Sequence, residues 1–443
     1  ASAVLTEIFP KLKSKTFSFA KLRGSIARVG NDAGFDRLIN SYSYGGLFRN
    51  DMAWFQGDAV RKNPNLKPET TISKEIGAEV RLLDGRLTAD VTYYDKYTRD
   101  QIVESELSYL SNYQRVIINS GKISNKGWEI SVSGVPVKVK NFECNTIFSW
   151  SKNNSLLESL PEGIDKIQIG SGVYNVKSYA EVGKPYGAIY AKTFKRDAEG
   201  YILCQLGGSP KEGQDYEYLG CVQADWRGGW NNVFRLGNFS FSVMFDFQKG
   251  GKFFSQTSIQ SSVDGQSVKS LEGRDADFFS RKILGESDEE RYGFMRPQNA
   301  NTPTANGQIY PDWGRPKGVV LPNCRYDEDV EGLAGQQVLG YCTPERYWMH
   351  YTSRDISRFV YDASYVKLRE ITVSYDLPKK WLRKTPFQTF RVAAVGRNIA
   401  TLFANTPHGL DPQATSTTGN AQGFERGFNL PSATYGFDIK VSF

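Results

Sequence analysis

Histidine is nearly absent from this chain. Only His350 and His408 occur, and the five cysteines contain no Cys-x-x-Cys spacing. A zinc centre is therefore not expected. The sequence also lacks G-x-S-x-G, H-E-x-x-H, a Walker A loop and G-x-G-x-x-G, the patterns that place a nucleophile, a metal-bound water or a nucleotide phosphate. No catalytic residue is assigned, and the chain is read as a non-enzyme without a cofactor. Charge of one sign is scarce as well: 55 Lys and Arg stand against 48 Asp and Glu, a net +7. That balance is too mild for a nucleic-acid partner, which asks for clustered basic residues. No run of 18 apolar residues exists and mean hydropathy is −0.46, so no helix can cross a membrane. Nothing at the N-terminus reads as a signal peptide.

What the chain does have is aromatic residues, 13% of its 443 positions, and 42 glycines. Low hydropathy with many aromatics and glycines suits a membrane β-barrel, whose strands need one apolar face only. A secreted all-β protein has similar totals, so composition leaves both open. Alternation along the chain is more informative. Phe239, Phe241, Val243, Phe245 and Phe247 share one parity, and Ser240, Ser242, Asp246 and Gln248 share the other. A strand would put these sets on opposite faces, whereas a helix would scatter them. Tyr435, Phe437, Ile439, Val441 and Phe443 repeat the pattern at the C-terminus. So do Ile72, Ile76, Ala78, Val80 and Leu82, followed by a hairpin turn at Asp84-Gly85 and a return through Leu87, Ala89, Val91 and Tyr93. Further strands are expected near 125–135, 141–152, 227–236, 361–376 and 388–399, with weaker ones at 16–30 and 1–8. In the 361–376 run the apolar phase slips between Leu368 and Ile371, which predicts a bulge.

The connections alternate. Short links fall at 9–15, 84–85, 136–140, 237–238 and 377–387, and long ones at 31–69, 101–124, 153–226, 250–360 and 400–430. Short turns at one end and long loops at the other are the habit of transmembrane barrels, with the long loops extracellular. The expected fold is therefore all-β, an antiparallel transmembrane β-barrel with about eleven strands in this chain. Counting back from the last strand makes the first run in the same direction, so closure within the chain would need a parallel pair. Bacterial single-chain barrels are antiparallel and even-numbered, and the chain is read as part of a barrel.

Two stretches carry a family resemblance. Asn63-Pro64-Asn65-Leu66-Lys67-Pro68-Glu69-Thr70-Thr71 resembles a signature of TonB-dependent outer-membrane transporters. Asp362-Ala363-Ser364-Tyr365-Val366-Lys367-Leu368-Arg369-Glu370-Ile371 is similar to the SusC/RagA branch. Gly396-Arg397-Asn398 and the Phe-terminated last strand are similar too. The resemblance covers nearly the whole chain as the C-terminal half of such a protein. It implies half of a 22-stranded barrel, with the plug domain and TonB box outside this chain and the remaining half of the barrel as a partner. It further implies outer-membrane lipid around the wall of a Gram-negative cell, a SusD-like surface lipoprotein, and energy from TonB through the missing N-terminal region. The implied function is import of an oligosaccharide or oligopeptide. A structural or assembly scaffold and a passive pore are the alternatives. One departure stands out: the family's Asp-rich D-x-N-x-D-G loop is replaced at 197–227 by a segment holding Cys204, Gly207-Gly208 and Cys221.

Candidate residues follow. Cys204–Cys221 and Cys324–Cys342 are expected as loop disulfides, with Cys144 free, since each pair would close a short polar loop; four scattered thiols are the alternative. Asp327, Asp329, Glu331 and Gly332 copy positions of a calcium loop, but Val338 stands where its bidentate Glu belongs. A solvated acidic loop is preferred there, with Ca²⁺ as the alternative. Trp313, Tyr347 and Trp348 are the substrate-stacking candidates in the longest loop, with loop packing or partner contact as an equal alternative. Tyr93, Tyr94, Tyr97, Trp128 and Trp150 are expected in an interfacial girdle. Lys379, Lys380, Arg383 and Lys384 are read as a solvated turn or a lipid-headgroup contact. Tyr435, Phe437, Ile439, Val441 and Phe443 form the C-terminal barrel-assembly signal implied by the resemblance.

Overall fold

Period-two sequences can satisfy their backbone polar groups only by pairing sideways, and here they pair into one long meander. The computed structural model describes residues 1–49, 51–107, 109–119, 121–206, 208–271, 319–342, 347–407, 409–414, 422–427 and 432–443. Eleven strands form a single antiparallel sheet: β1 Ser2–Val4, β2 Phe17–Asn31, β3 Glu69–Leu82, β4 Leu87–Arg99, β5 Lys122–Val139, β6 Phe142–Ser159, β7 Trp226–Leu236, β8 Phe239–Lys249, β9 Tyr365–Asp376, β10 Thr389–Ala404 and β11 Thr434–Ser442. Each pairs with its neighbours in this order. The sheet is open. Among the described residues β1 pairs only with β2 and β11 only with β10, so the two edges do not meet.

The apolar parity is continuous across the wall. Leu22 lies opposite Ala78, Ala78 opposite Val91, and Trp230 opposite both Phe148 and Phe245. Aromatic rings ladder along this face: Phe142 stacks on Phe234 at 6.5 Å, Phe234 on Phe241 at 6.1 Å, and Trp230 on Phe245 at 5.9 Å. Such cross-strand pairs stabilise a sheet by about 0.2–1 kcal/mol each. Phe437 is 86% exposed and Ile439 63%, as an outward face bathed in lipid requires. One polar group interrupts the band and satisfies itself: Thr146 donates to Asn232 at 2.8 Å, and the Trp230 indole donates to Thr146 at 2.8 Å.

Two glycines let long side chains lie flat on the polar face. A Cβ at Gly77 would sit 2.7 Å from Arg23 Nε, and one at Gly127 would sit 2.4 Å from the Tyr94 hydroxyl and 2.3 Å from the Lys152 carbonyl oxygen. Over Gly77, Arg23 reaches Asp90 with two bonds of 2.6 Å. Over Gly127, Tyr94 donates to Asn153 at 3.1 Å.

The predicted bulge is present. Arg369 drops out of register with both neighbours, so Leu368 faces Phe245 while Glu370 faces Met244 and Arg397. That extra residue returns Leu368 and Ile371 to the same face. The turns between β3 and β4, β5 and β6, β7 and β8, and β9 and β10 lie at one end, where backbone bonds join neighbouring turns: Val135 N–H to Arg86 O at 2.8 Å, Gly237 N–H to Asn141 O at 2.9 Å, and Asp376 N–H to Asn238 O at 2.9 Å. The long connections leave from the opposite end.

Three local expectations need correction. Residues 1–8 are not one strand: β1 stops at Val4 and a helical turn Leu5–Ile8 follows, with Thr6 buried under Ala20. The first hairpin loop is Leu83–Arg86, longer than two residues, with Leu83, Asp84 and Gly85 all in the left-handed region. Tyr94 does not join Tyr93 and Trp128 in a girdle. Tyr93 packs on Trp128 at 5.0 Å on the apolar face, but Tyr94, one residue on, necessarily points to the polar side.

Candidate functional site

The polar face gathers charge where β8 and β9 approach the connection after β10. Asp246 of β8 pairs with Arg369 and accepts from the Tyr365 hydroxyl at 3.2 Å. Lys367, 5% exposed, donates to the Asp411 carboxylate at 2.5 and 2.6 Å and to Gln413 at 2.9 Å. Gln413 also accepts from Arg369 at 2.7 Å and donates to the Tyr365 hydroxyl at 2.6 Å. Tyr365, Lys367 and Arg369 have the parity of one face, and the bulge brings Glu370 to that side as well. This face of the Asp362–Ile371 stretch thus anchors Asp411 and Gln413 to the inner wall. Its other end holds Asn405, whose N–H donates to Ser364 O at 3.1 Å, and the Ser364 hydroxyl accepts from Gly250 N–H at 2.8 Å.

Above the wall the loops build cores of their own. Residues Lys166–Ser171, Lys177–Glu181, Ala188–Ala191 and Glu217–Cys221 form a four-stranded sheet. Val176, Ile189, Phe254, Ile356, Phe359 and Phe424 pack together from four different chain stretches. Glu425, almost wholly buried, ties two loops by accepting from the Ser255 and Thr257 hydroxyls, each at 2.6 Å.

Between these loops and the wall lies a polar cleft of about 330 Å³. Ser151, Asn153 and Arg227 line it from the wall, and Tyr186, Gln223 and Gln422 from the loops. An adjoining cavity of about 430 Å³ shares Asn153 and Gln223 and extends to Lys252 and Asp362. Arg227 is held by Gln248 at 3.0 Å and Asn153 by Tyr94 and Asn125, both at 3.1 Å. Amide, hydroxyl and guanidinium groups on a rigid wall suit reversible binding of a hydrogen-bonding ligand. Apart from Asp362, which opens the signature stretch, none of these lining residues was marked by the sequence. Ser151 and Arg227 read only as polar positions of strands, Asn153 and the loop residues carry no periodic signal, and their convergence is tertiary.

The residues that the sequence did mark fall elsewhere. Tyr347 and Trp348 are buried against Phe194, Ile202 and Leu321, and Arg358 donates to the Tyr347 hydroxyl. Their rings are core, closed to a stacking ligand. Trp313 lies outside the described residues. The cysteine pairs are not brought together. Cys221 is a free thiol, bonded to Tyr186 O and Gln223 N–H at 3.4 Å each, in a different sheet from Cys204. Cys324 is registered with Val338 and Cys342 with Val319 at the far end of the same hairpin, beyond the reach of an S–S bond. Cys144 is a free thiol on the apolar face, opposite Phe234.

In the stretch with calcium-loop spacing, lysines hold the carboxylates. Asp327 accepts from Lys211 at 2.7 Å and Lys195 at 3.0 Å, and Lys211 also pairs with Asp329. Burial alone would raise Asp327, but the hydrogen bonds from Lys211 and Lys195 outweigh it and bring the carboxyl down to about 2. At the turn after β9, the basic residues begin a helical turn Lys379–Leu382 whose Leu382 is buried. The C-terminal set presents Tyr435, Phe437, Ile439 and Phe443 outward, with Phe443 against Phe387 at 5.4 Å.

Known proteins share this architecture. Residues 14–187 match the family described as TonB dependent receptor-like, beta-barrel. TonB-dependent receptor P3 of Formosa agariphila is 24% identical over 395 residues, covering 84% of this chain and 33% of the relative. TonB-dependent receptor SusC of Bacteroides thetaiotaomicron is 27% identical over 104 residues, covering 23% of this chain and 10% of SusC. The structure of the RagAB peptide transporter superposes on the whole chain, 100% of it and 43% of that chain, with a TM-score of 0.67 at 16% identity, a likeness of fold. The chain therefore spans a third or less of the length of these curated relatives. By name the proteins it matches are TonB-dependent receptors and a peptide transporter. The motifs, the matched barrel region, the relatives and the shared wall agree: the chain has the fold of a TonB-dependent receptor β-barrel wall and is similar to receptors of the SusC/RagA kind.

Proposed function

We propose that this wall and its loops belong to an active importer in the outer membrane of a Gram-negative bacterium, taking up an oligosaccharide or oligopeptide. The observation that carries the reading is the polar cleft at the base of the loops, between Arg227 and Asn153 on the wall and Gln223 and Gln422 above. A hydrated oligomer offers many donors and acceptors, and such a cleft holds it by several exchangeable bonds without covalent chemistry. In this proposal a SusD-like lipoprotein covers the loops from outside. A plug inside the completed barrel transmits energy from TonB. The outward set Tyr435, Phe437, Ile439, Val441 and Phe443 serves as the barrel-assembly signal at the seam with the remaining strands.

Uptake is the test. In the native host, deletion of the full-length gene should abolish growth on one class of oligomer, glycan or peptide, as sole source. Deleting the gene of the proposed lipoprotein partner, or collapsing the proton-motive force, should do the same. Growth unchanged on both classes would refute the importer. Mass spectrometry of ligand co-purified with the intact receptor would name the class.

A further inference from the structure

Tyr186 stands between two cavities. On one side is the cleft of about 330 Å³ that Arg227 and Gln223 line. On the other is a cavity of about 230 Å³ lined by Arg37, Ile102, Val103, Glu104 and Ile169 together with Tyr186. The residue is firmly seated. Its carbonyl accepts from the Cys221 thiol at 3.4 Å and from the Gln223 side chain at 3.2 Å, and its ring packs on the cluster of Ile123, Leu157 and Ala180. Its hydroxyl is closed off from solvent and has no hydrogen-bond partner among the described residues. An unsatisfied buried hydroxyl costs about 1–3 kcal/mol, and phenylalanine would fill the same space without it. Burial, with the Glu69 carboxylate nearby, pushes the phenol up to about 12, so it stays a neutral donor.

We propose that Tyr186 is a specificity-determining residue. Its ring is the end wall of the polar cleft and limits how long a segment of an acceptor-rich, uncharged oligomer can lie there, while its hydroxyl is the donor such a segment meets when the ring shifts. The choice of ligand rests on the importer reading above, whereas the wall itself rests on the two cavities alone.

The test uses the full-length receptor with its lipoprotein and the variants Tyr186→Ala, Tyr186→Leu and Tyr186→Phe. A structure of Tyr186→Ala should show one continuous hydrated space from Arg227 to Arg37. If neighbouring side chains collapse into the vacancy and two separate cavities remain, the wall reading is overturned, and Tyr186→Leu repeats the test if the smaller residue does not fold. Binding is then measured with graded series of oligoalanines and malto-oligosaccharides. Tyr186→Ala should bind the longer members about tenfold more tightly relative to the shorter ones than the wild type does, a shift of ~1.4 kcal/mol. Tyr186→Phe should keep the wild-type length profile but bind every member several-fold more weakly. An unchanged profile in Tyr186→Ala would end the specificity role. If the wild type binds neither series, the ligand class proposed above fails, while the structural arm still decides the wall.

Discussion

Replacing Lys367 by methionine tests the anchor that holds residues 409–414 on the inner wall. The ammonium is 6% exposed and its partner Asp411 16%, so the pair is largely withdrawn from water. Removing one member of a buried pair costs about 3–5 kcal/mol, because the other charge is left unpaired. Asp411 keeps some solvent, and Gln413 retains Arg369 and Tyr365, so the lower end applies, about 3 kcal/mol. At ~1.4 kcal/mol per factor of ten, the local opening equilibrium rises roughly 100-fold. Hydrogen exchange reads this directly. The amides of Gln413 and Ala414 donate to the Asp411 carboxylate and Asp411 O, and their exchange should accelerate by about that factor. Strand amides of β9 away from the bulge should not change. Methionine at 367 combined with leucine at 411 should recover much of the protection, since both charges are then gone. Acceleration below about threefold in Lys367→Met would refute the argument that this pair holds the segment.

The other predictions address the wall and the loops. Val243→Arg puts a charge on the apolar face and should cost about 2–4 kcal/mol if it lies near mid-bilayer; folding titrations in bilayers check this, and an unchanged midpoint would argue against a lipid-facing strand. Gly127→Ala should impair barrel formation by about 1–3 kcal/mol because backbone lies within the Cβ's radius, whereas Gly24→Ala, whose nearest contact is 3.8 Å away, should be tolerated; heat-modifiable mobility on gels separates the two. The depressed Asp327 makes the loop acid-sensitive. The unfolded carboxyl binds its proton first as pH falls, so about 2 kcal/mol of stability is present above pH ~4 and is lost on the way down to pH ~2. Proteolysis with an acid protease across that window should show the slope in the wild type and not in Asp327→Asn.

The wall was legible because alternation is local. Phe239 to Phe247 show their face without any knowledge of their neighbours, and the slip from Leu368 to Ile371 marked the bulge before Arg369 was seen out of register. Tyr94 was misplaced against the same rule that placed Tyr93: two adjacent residues of one strand cannot share a face. The loops were illegible for another reason. Tyr347 and Trp348 left ligand stacking and loop packing both open, because nothing local says that Phe194, Ile202 and Leu321, distant in sequence, will enclose them. The cysteines were paired by spacing, but each pair's separation was set by sheets that spacing does not encode. Tyr186 and Gln223 gave no signal, since a cleft residue is defined by what arrives opposite it.

The bulge at Arg369 has one more consequence. Glu370 is salt-bridged to Arg397 at 2.9 Å, and Arg369 donates to Asn398 at 2.7 Å; Asn398 itself sits at a φ of 49°. The Asp362–Ile371 stretch and Gly396-Arg397-Asn398, both of which carry the family resemblance, are therefore the two sides of one contact. Among descendants of a common ancestor, positions 369 and 398, and positions 370 and 397, should mutate as linked letters. A loss at one would be compensated at its partner some thirty residues away, and a scan that weights the two stretches as independent witnesses would be counting a single inherited event twice.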